Sequence, residues 1–511
     1  MSPSSSLAVC LLLALPAPAA EDGPRKVPLT SLSHATIRVS FSGTIRTTGT
    51  TKTLTYSQPL PADGEGQVVA SIEVAPSPGL GHEIVEEGEG RRVDLTWTDP
   101  PEGEVLYSIV ATVERSAFDA TMDDPTRGTA PGFLEGGDLT KPDAAIKKQA
   151  KILAKGSSND LETVARIAGW IHESIEYDRS YSQDKEDKQV GAVMKSGRGT
   201  CDELSHLFIS MARVAGIPAR EVSGLAFTGE SWGFHSWSEV RLGSRWVPVD
   251  ATSLEIGLVD ATHIAFARDD DDASFSQSIR SLQTGSFSIE DHDLEVRIMK
   301  ASTGAGVVKA EMTFDPASVP PGQPFTARLS LENPSGSWVA GPARLVVAEG
   351  FGLDADPIVT FVLPPKASKL IEWSVTTPAG LATGATYWYK MGAVLFPHLV
   401  AAAQLTIASG LIGEVAALED EGGAALVTVE LHNPLPDAHT SHARVCLHQG
   451  WDLGPEPLCL DRDVEIPAKG SVKLDLPTEF VIAGDFTITV QAKLADLTDE
   501  RIHKVDVDAQ P

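Results

Sequence analysis

The chain has 511 residues, too many for one compact core and enough for roughly three to four domains. Apolar residues make up 42% of it, which is ample for burial and excludes a disordered chain. Acids number 70 against 41 bases, a formal net charge of -29, so nucleic acids and anionic lipid surfaces are excluded as partners by repulsion.

The N-terminus reads as an export signal. Leu7 to Leu15 is an apolar run too short to span a bilayer. The small residues Ala17-Pro18-Ala19-Ala20 follow it, and then the acidic Glu21-Asp22. Cleavage is expected near Ala19 or Ala20, giving a secreted or periplasmic protein, although no Lys or Arg precedes the run. No later segment resembles a transmembrane helix. Beyond Cys10, which lies in the signal, the cysteines are Cys201, Cys446 and Cys459. Cys446 and Cys459 share one local segment and are expected to pair, which leaves Cys201 as a free thiol.

Residues 31 to about 115 read as all-β. Ala35-Thr36-Ile37-Arg38-Val39-Ser40-Phe41 alternates with period two and is rich in β-branched residues. Val68 to Val74, Val93 to Trp97 and Tyr107 to Val113 are further strands. From about 142 the period changes to that of helices. Ala144 to Ala154 is one, and Ser158-Asn159-Asp160 caps a second with Val164, Ile167, Ala168 and Ile171 on one face. Asp178 to Lys188 reads as an exposed loop, a third helix begins near Cys201, and hairpin signals occupy 219 to 250. Helices followed by strands indicate an α+β domain. Asp269-Asp270-Asp271-Asp272 lacks the spacing of a calcium loop and reads as a solvated acidic turn.

The rest is β and repeats. Leu331-Glu332-Asn333-Pro334 recurs as Leu431-His432-Asn433-Pro434, at an offset of 100, and Leu363-Pro364 recurs as Ile466-Pro467, at an offset of 103. Short strands with that period suit tandem immunoglobulin-like sandwiches. At an offset of 100, Cys446 and Cys459 take the places of Val346 and Val359. The fold class is therefore multidomain α+β. The expected segments are a signal at 1–20, an N-terminal β domain at 21–120, an α+β domain at 121–300, and sandwiches at 301–408 and 409–511.

The chemistry-bearing pattern begins at Gly197-Arg198-Gly199-Thr200-Cys201-Asp202-Glu203-Leu204. The glycines permit a sharp, close-packed turn, Thr200 suits a helix cap, and Asp202-Glu203 suit a first helical turn. Leu204, Leu207, Phe208 and Met211 mark a buried face. Cys201 thus sits where free backbone N–H groups and the helix dipole favour a thiolate and can receive an oxyanion. Downstream, Trp232 to Val240 alternates, Gly243-Ser244 turns, and Trp246-Val247-Pro248-Val249-Asp250 returns. A two-residue hairpin centred on Gly243-Ser244 puts Asp250 opposite Trp237 and diagonally beside His235, within reach of an Asp–His hydrogen bond. Nucleophile Cys201, base His235 and orienting carboxylate Asp250 then form a triad. His206, five residues after Cys201, is a rival base too close along the same helix to face the thiol well.

The segments Ser196 to Cys201, Ala212 to Arg220, His235 to Val240 and Trp246 to Asp250 resemble the bacterial transglutaminase-like superfamily, with its papain-like Cys-His-Asp core. The resemblance covers roughly 140 to 290, includes Tyr177-Asp178, and implies catalytic roles for Cys201, His235 and Asp250. One departure concerns the tryptophan that animal transglutaminases carry upstream of the nucleophile: Ser180 to Thr200 contains none. No cofactor is implied. The expected activity is acyl transfer on peptide or glutamine carboxamide bonds through a Cys201 thioester, by a peptidase, an amidase or a protein-glutamine transferase acting on a protein or peptide. The alternative is an inert extracytoplasmic scaffold that binds a partner through its β domains.

Overall fold

The computed structural model describes residues 32–507 apart from 118–121, 183–188, 228–230, 270–276, 283–285, 303–307, 382–385, 396–398, 409–410, 420–424, 434, 436, 450–456, 478–483 and 495–496. It is mostly β, with few helices.

Six strands come first: β1 (His34–Thr48), β2 (Thr53–Leu60), β3 (Gln67–Val74), β4 (Leu80–Glu87), β5 (Gly90–Thr98) and β6 (Gly103–Ser116). The period-two pattern of β1 turns Ala35, Ile37, Val39, Phe41 and Ile45 inward. They meet Leu54, Tyr56, Val93, Leu95 and Trp97 from β2 and β5 in one core.

The helices are α1 (Ala144–Ala154), α2 (Asp160–Ser174), α3 (Val190–Ser196) and α4 (Cys201–Val214). Asp143 and Asn159 cap α1 and α2 by accepting the backbone N–H of Ile146 and Glu162. A short parallel pair, β7 (Glu176–Tyr177) with β8 (Arg198–Gly199), leads into α4. Then β9 (Ala219–Phe227), β10 (Trp232–Leu242), β11 (Arg245–Asp250), β12 (Glu255–Ile256) and β13 (Ile264–Asp269) form a sheet in the order β12-β11-β10-β9-β13. The central helix α4 packs on it with Leu204, Leu207, Phe208 and Met211.

Next the chain returns to the first unit. β14 (Ser278–Leu282) pairs with β2, and β15 (Ser286–Ser302) runs antiparallel to β1 from His34↔Ser302 to Thr48↔Ser286. The expected α+β segment, 121–300, therefore contains strands that complete the N-terminal sheets. Alternation marks a strand but not its partner, and this partner lies more than two hundred residues upstream. The two parts also share a core: Leu225, Ala261, Ile264 and Phe266 pack among the N-terminal strands.

Beyond residue 308 a four-stranded and a five-stranded sheet enclose one core that includes Leu329, Phe361, Trp373 and Leu405. Strand Val339–Val346 of the second sheet lies against α2. Ala340 belongs to the core of the α+β part, and Trp338 and Val362 pack on it. The Met122 and Trp338 backbones are bonded at 2.9 Å, and Arg344 pairs with Glu173. Residues 303–307, which precede this docked unit, lie outside the described set.

The last unit has a three-stranded and a four-stranded sheet around Val427, Val445, Leu474 and Val490. Cys446 and Cys459 are joined there. The duplication is visible in register, since Val339 pairs with Leu363 and His439 with Ile466. The second strand of each pair is therefore related by 103 positions. Cys459 corresponds to Asp356, and not to Val359 as a uniform offset implies. Among the described residues no helix is long and apolar enough to cross a membrane.

Candidate active site

Cys201 is the first residue of α4, and its position is set by the turn before it. Gly197 ends α3 in the left-handed conformation, with φ 69°. Gly199 has no room for a side chain, because a Cβ there would lie 2.9 Å from that of Glu203. Thr200 donates to Glu203 Oε2 through its backbone N–H at 2.7 Å and its hydroxyl at 2.6 Å. This ties the turn to the helix and leaves the following N–H groups at the thiol end of α4.

The hairpin supplies the other two residues. Its register is Ser238↔Val249, Glu239↔Pro248 and Val240↔Val247, the pairing expected for a turn on Gly243-Ser244. His235 Nε2 donates to Asp250 Oδ2 at 2.9 Å. Trp237, on the same face, stacks on the His235 ring with centroids 6.1 Å apart. Asp250 is fully buried, and its Oδ1 accepts the backbone N–H of Thr252 at 2.8 Å and of Ser253 at 3.2 Å. The Ser253 hydroxyl donates to Oδ2. These donors fix the direction of the buried carboxylate.

Cys201 is buried, and its thiol faces the backbone N–H of Ser236, the residue after His235. Its Sγ also lies 3.5 Å from Asp202 Oδ1. Burial pushes the thiol pKa up, the nearby negative charges of Asp202 and Asp250 add to this, and the Ser236 N–H opposes it. The helix N-terminus alone, from which a depressed pKa was expected, is outweighed by desolvation. Tyr177, paired with Gly199, has its phenol pushed up to about 12 by burial and then by Cys201. It therefore stays a neutral group beside the thiol.

His206 points elsewhere: its Nε2 is 3.3 Å from Glu221 Oε2 on β9. Asp269 closes β13, while Asp270 to Asp272 lie outside the described residues.

Ser253 and His263 were not singled out from the sequence. The signal for them is a repeated tripeptide, Asp250-Ala251-Thr252 and Asp260-Ala261-Thr262. In each, the Thr N–H returns to the Asp Oδ1, at 2.8 Å and 2.9 Å, as in an Asx turn. The second turn places His263 against Asp250, with Nε2 3.4 Å from Oδ2. Two sets, His235 with Asp250 and His263, and Glu255 with Asp260 and His263, gather donor atoms at metal-site spacing. Asp250 Oδ2 and Asp260 Oδ1, however, already accept several protein hydrogen bonds each, and we assign no metal to them.

The model of the transglutaminase-like superfamily matches residues 147–251. Kyphoscoliosis peptidase of Mus musculus is 36% identical over 125 residues, which span 22% of this chain and 19% of that protein. An uncharacterized protein of Haemophilus influenzae is 28% identical over 148 residues, 24% of this chain and 40% of that one. The chain thus matches less than half the length of either relative. A proposed cysteine protease from Cytophaga hutchinsonii is similar in structure, with a TM-score of 0.41 and 20% identity over 53% of this chain and 93% of that one. The segment from 147 to 251, which holds the α4 start and the His235–Asp250 hairpin, is a transglutaminase-like domain.

Proposed function

We propose that Cys201, His235 and Asp250 are the nucleophile, base and orienting carboxylate of a cysteine enzyme acting on peptide or glutamine carboxamide bonds. The observation that carries this reading is the 2.9 Å bond from His235 Nε2 to Asp250, made while the Ser236 N–H faces the Cys201 sulfur. With Nε2 bonded to the carboxylate, we assign proton exchange with the thiol to Nδ1. Burial disfavours a lone thiolate, so the reactive form is a thiolate–imidazolium pair.

In the reaction Cys201 Sγ forms a bond to the carbonyl carbon, and its proton passes to His235. The carbonyl oxygen gains negative charge at the N-terminus of α4, where backbone N–H groups receive it. The C–N bond then breaks as His235 protonates the leaving amine. Water resolves the thioester in a peptidase or amidase, and a second amine resolves it in a transferase. Both outcomes share every step up to the thioester, and these residues serve either one. The Cys446–Cys459 disulfide supports an oxidising, extracytoplasmic location.

The test is mass spectrometry of Cys201 after mixing with a panel of glutamine-containing peptides, with and without a primary amine. A transient acyl adduct on Cys201 that is lost in Cys201→Ala supports the reading. No adduct and no product from any peptide would favour the scaffold alternative.

A further inference from the structure

Behind the His235–Asp250 pair lies a second buried histidine that the reaction described above does not use. His263 is 0% exposed, as are Asp250 and Glu255, and Asp260 is 1% exposed. The His263 Nε2 lies 3.4 Å from Asp250 Oδ2. Its Nδ1 lies 3.1 Å from Asp260 Oδ1 and 3.8 Å from Glu255 Oε2. The ring is clamped edge-on to Trp237 at 5.1 Å, and its centroid is 5.8 Å from that of His235. From the N-terminal unit, Arg115 on β6 donates through Nε to the His263 carbonyl at 2.5 Å.

Both ring nitrogens therefore face carboxylate oxygens. A neutral imidazole has one N–H and one lone pair, so one nitrogen would oppose its lone pair to a carboxylate. An imidazolium donates on both sides and also balances part of a cluster of three buried acids. Sequence and strand pairing bring these acids together: Asp250 on β11 is the cross-strand partner of Glu255 on β12. The Asx turn at Asp260 then carries the chain to His263 and into β13. The close approach of β13 to β9 depends on Gly224, where a Cβ would collide with the Ile264 carbonyl.

We propose that His263 is a positioning residue of the catalytic unit: a buried imidazolium that bridges Asp250 to Asp260 and Glu255 and favours the charged form of Asp250 on which the bond to His235 depends. This rests on the Cys-His-Asp reading. The groups that face His263 include Asp250, Glu255, Asp260 and His235, with the Arg115 guanidinium on its carbonyl. Removing the cation leaves three acids close together, which raises their affinity for protons. The charged form of Asp250 is then disfavoured, and its hold on His235 weakens. Removing one of the other acids has the opposite effect on Asp250.

The experiment is the rate of Cys201 alkylation by iodoacetamide across pH 4 to 10 in the full-length protein, with thermal unfolding recorded for each variant. His263→Gln should move the acid limb upward by about one pH unit. Asp260→Asn should move it downward, and adding Asp260→Asn to His263→Gln should bring the limb back toward the native position. If His263→Gln does not fold, the downward shift in Asp260→Asn alone decides. His235→Ala is the control for the underlying reading. A native-like profile in His235→Ala would remove the catalytic pair itself. A shifted His235→Ala profile, with Asp260→Asn and any folded His263→Gln superimposing on native, would overturn only the role of His263. Lower thermal stability with no movement of the limb would make His263 structural.

Discussion

Asp250 Oδ2 accepts from His235 Nε2 at 2.9 Å while Oδ1 of the same carboxylate is held by the Thr252 and Ser253 N–H groups. The carboxylate direction is thus fixed by its own turn, and the imidazole tautomer follows from it. In Asp250→Asn the turn can keep its carbonyl oxygen on the N–H groups, so the amide faces His235 and favours the wrong tautomer. Turnover should fall by roughly 100- to 10,000-fold with little change in unfolding temperature. A loss of folding that matches the loss of turnover would show the carboxylate to be structural.

Cys201 alkylation should depend on pH through its partner. Burial and the Asp202 and Asp250 charges push the thiol up, so without an imidazolium the thiolate forms only as pH rises well above neutral. In His235→Ala the alkylation rate should therefore be low at pH 7 and climb toward pH 10, whereas the native protein should react at neutral pH. Identical native and His235→Ala curves would mean that the thiol and imidazole are uncoupled.

Gly199→Ala tests the turn that presents Cys201. The new Cβ would lie 2.9 Å from Glu203 Cβ and 3.2 Å from a Leu204 methyl, both in a packed region. A destabilisation of about 1–3 kcal/mol is expected by denaturant titration, with a drop in Cys201 reactivity. Native stability in this variant would show that the turn can relax.

A chain ending near residue 302 should be less stable than one ending near 408. The strand Val339–Val346 covers α2, with Ala340 in the shared core and Trp338 and Val362 against it. Exposing that face should cost on the order of 2–4 kcal/mol in the α+β part. Equal melting temperatures for the two fragments would show that the docked strand adds no stability.

Reducing Cys446–Cys459 should lower the stability of the last unit alone. The bridge spans 13 positions, and closing such a loop contributes about 3 kcal/mol in the chain-entropy model. Scanning calorimetry with and without reductant should show one transition moving while the one belonging to α4 and its sheet stays in place.

What the sequence determined by itself was local. The Gly197–Glu203 turn, the start of α4 at Cys201 and the hairpin on Gly243-Ser244 follow from backbone chemistry within a few residues. Period-two counting then carries His235 to Asp250 without knowledge of any other strand. Only the tertiary structure decided the rest, because it depends on contacts between segments far apart in the chain. The pairing of β15 with β1 and the docking of Val339–Val346 on α2 have no local signature, since an apolar face does not specify its partner. The Cys201 environment is of the same kind: a helix N-terminus can be read from caps, but desolvation comes from everything packed around it. His263 lies 13 positions after Asp250, and its approach depends on the β9–β13 pairing and on the space left at Gly224.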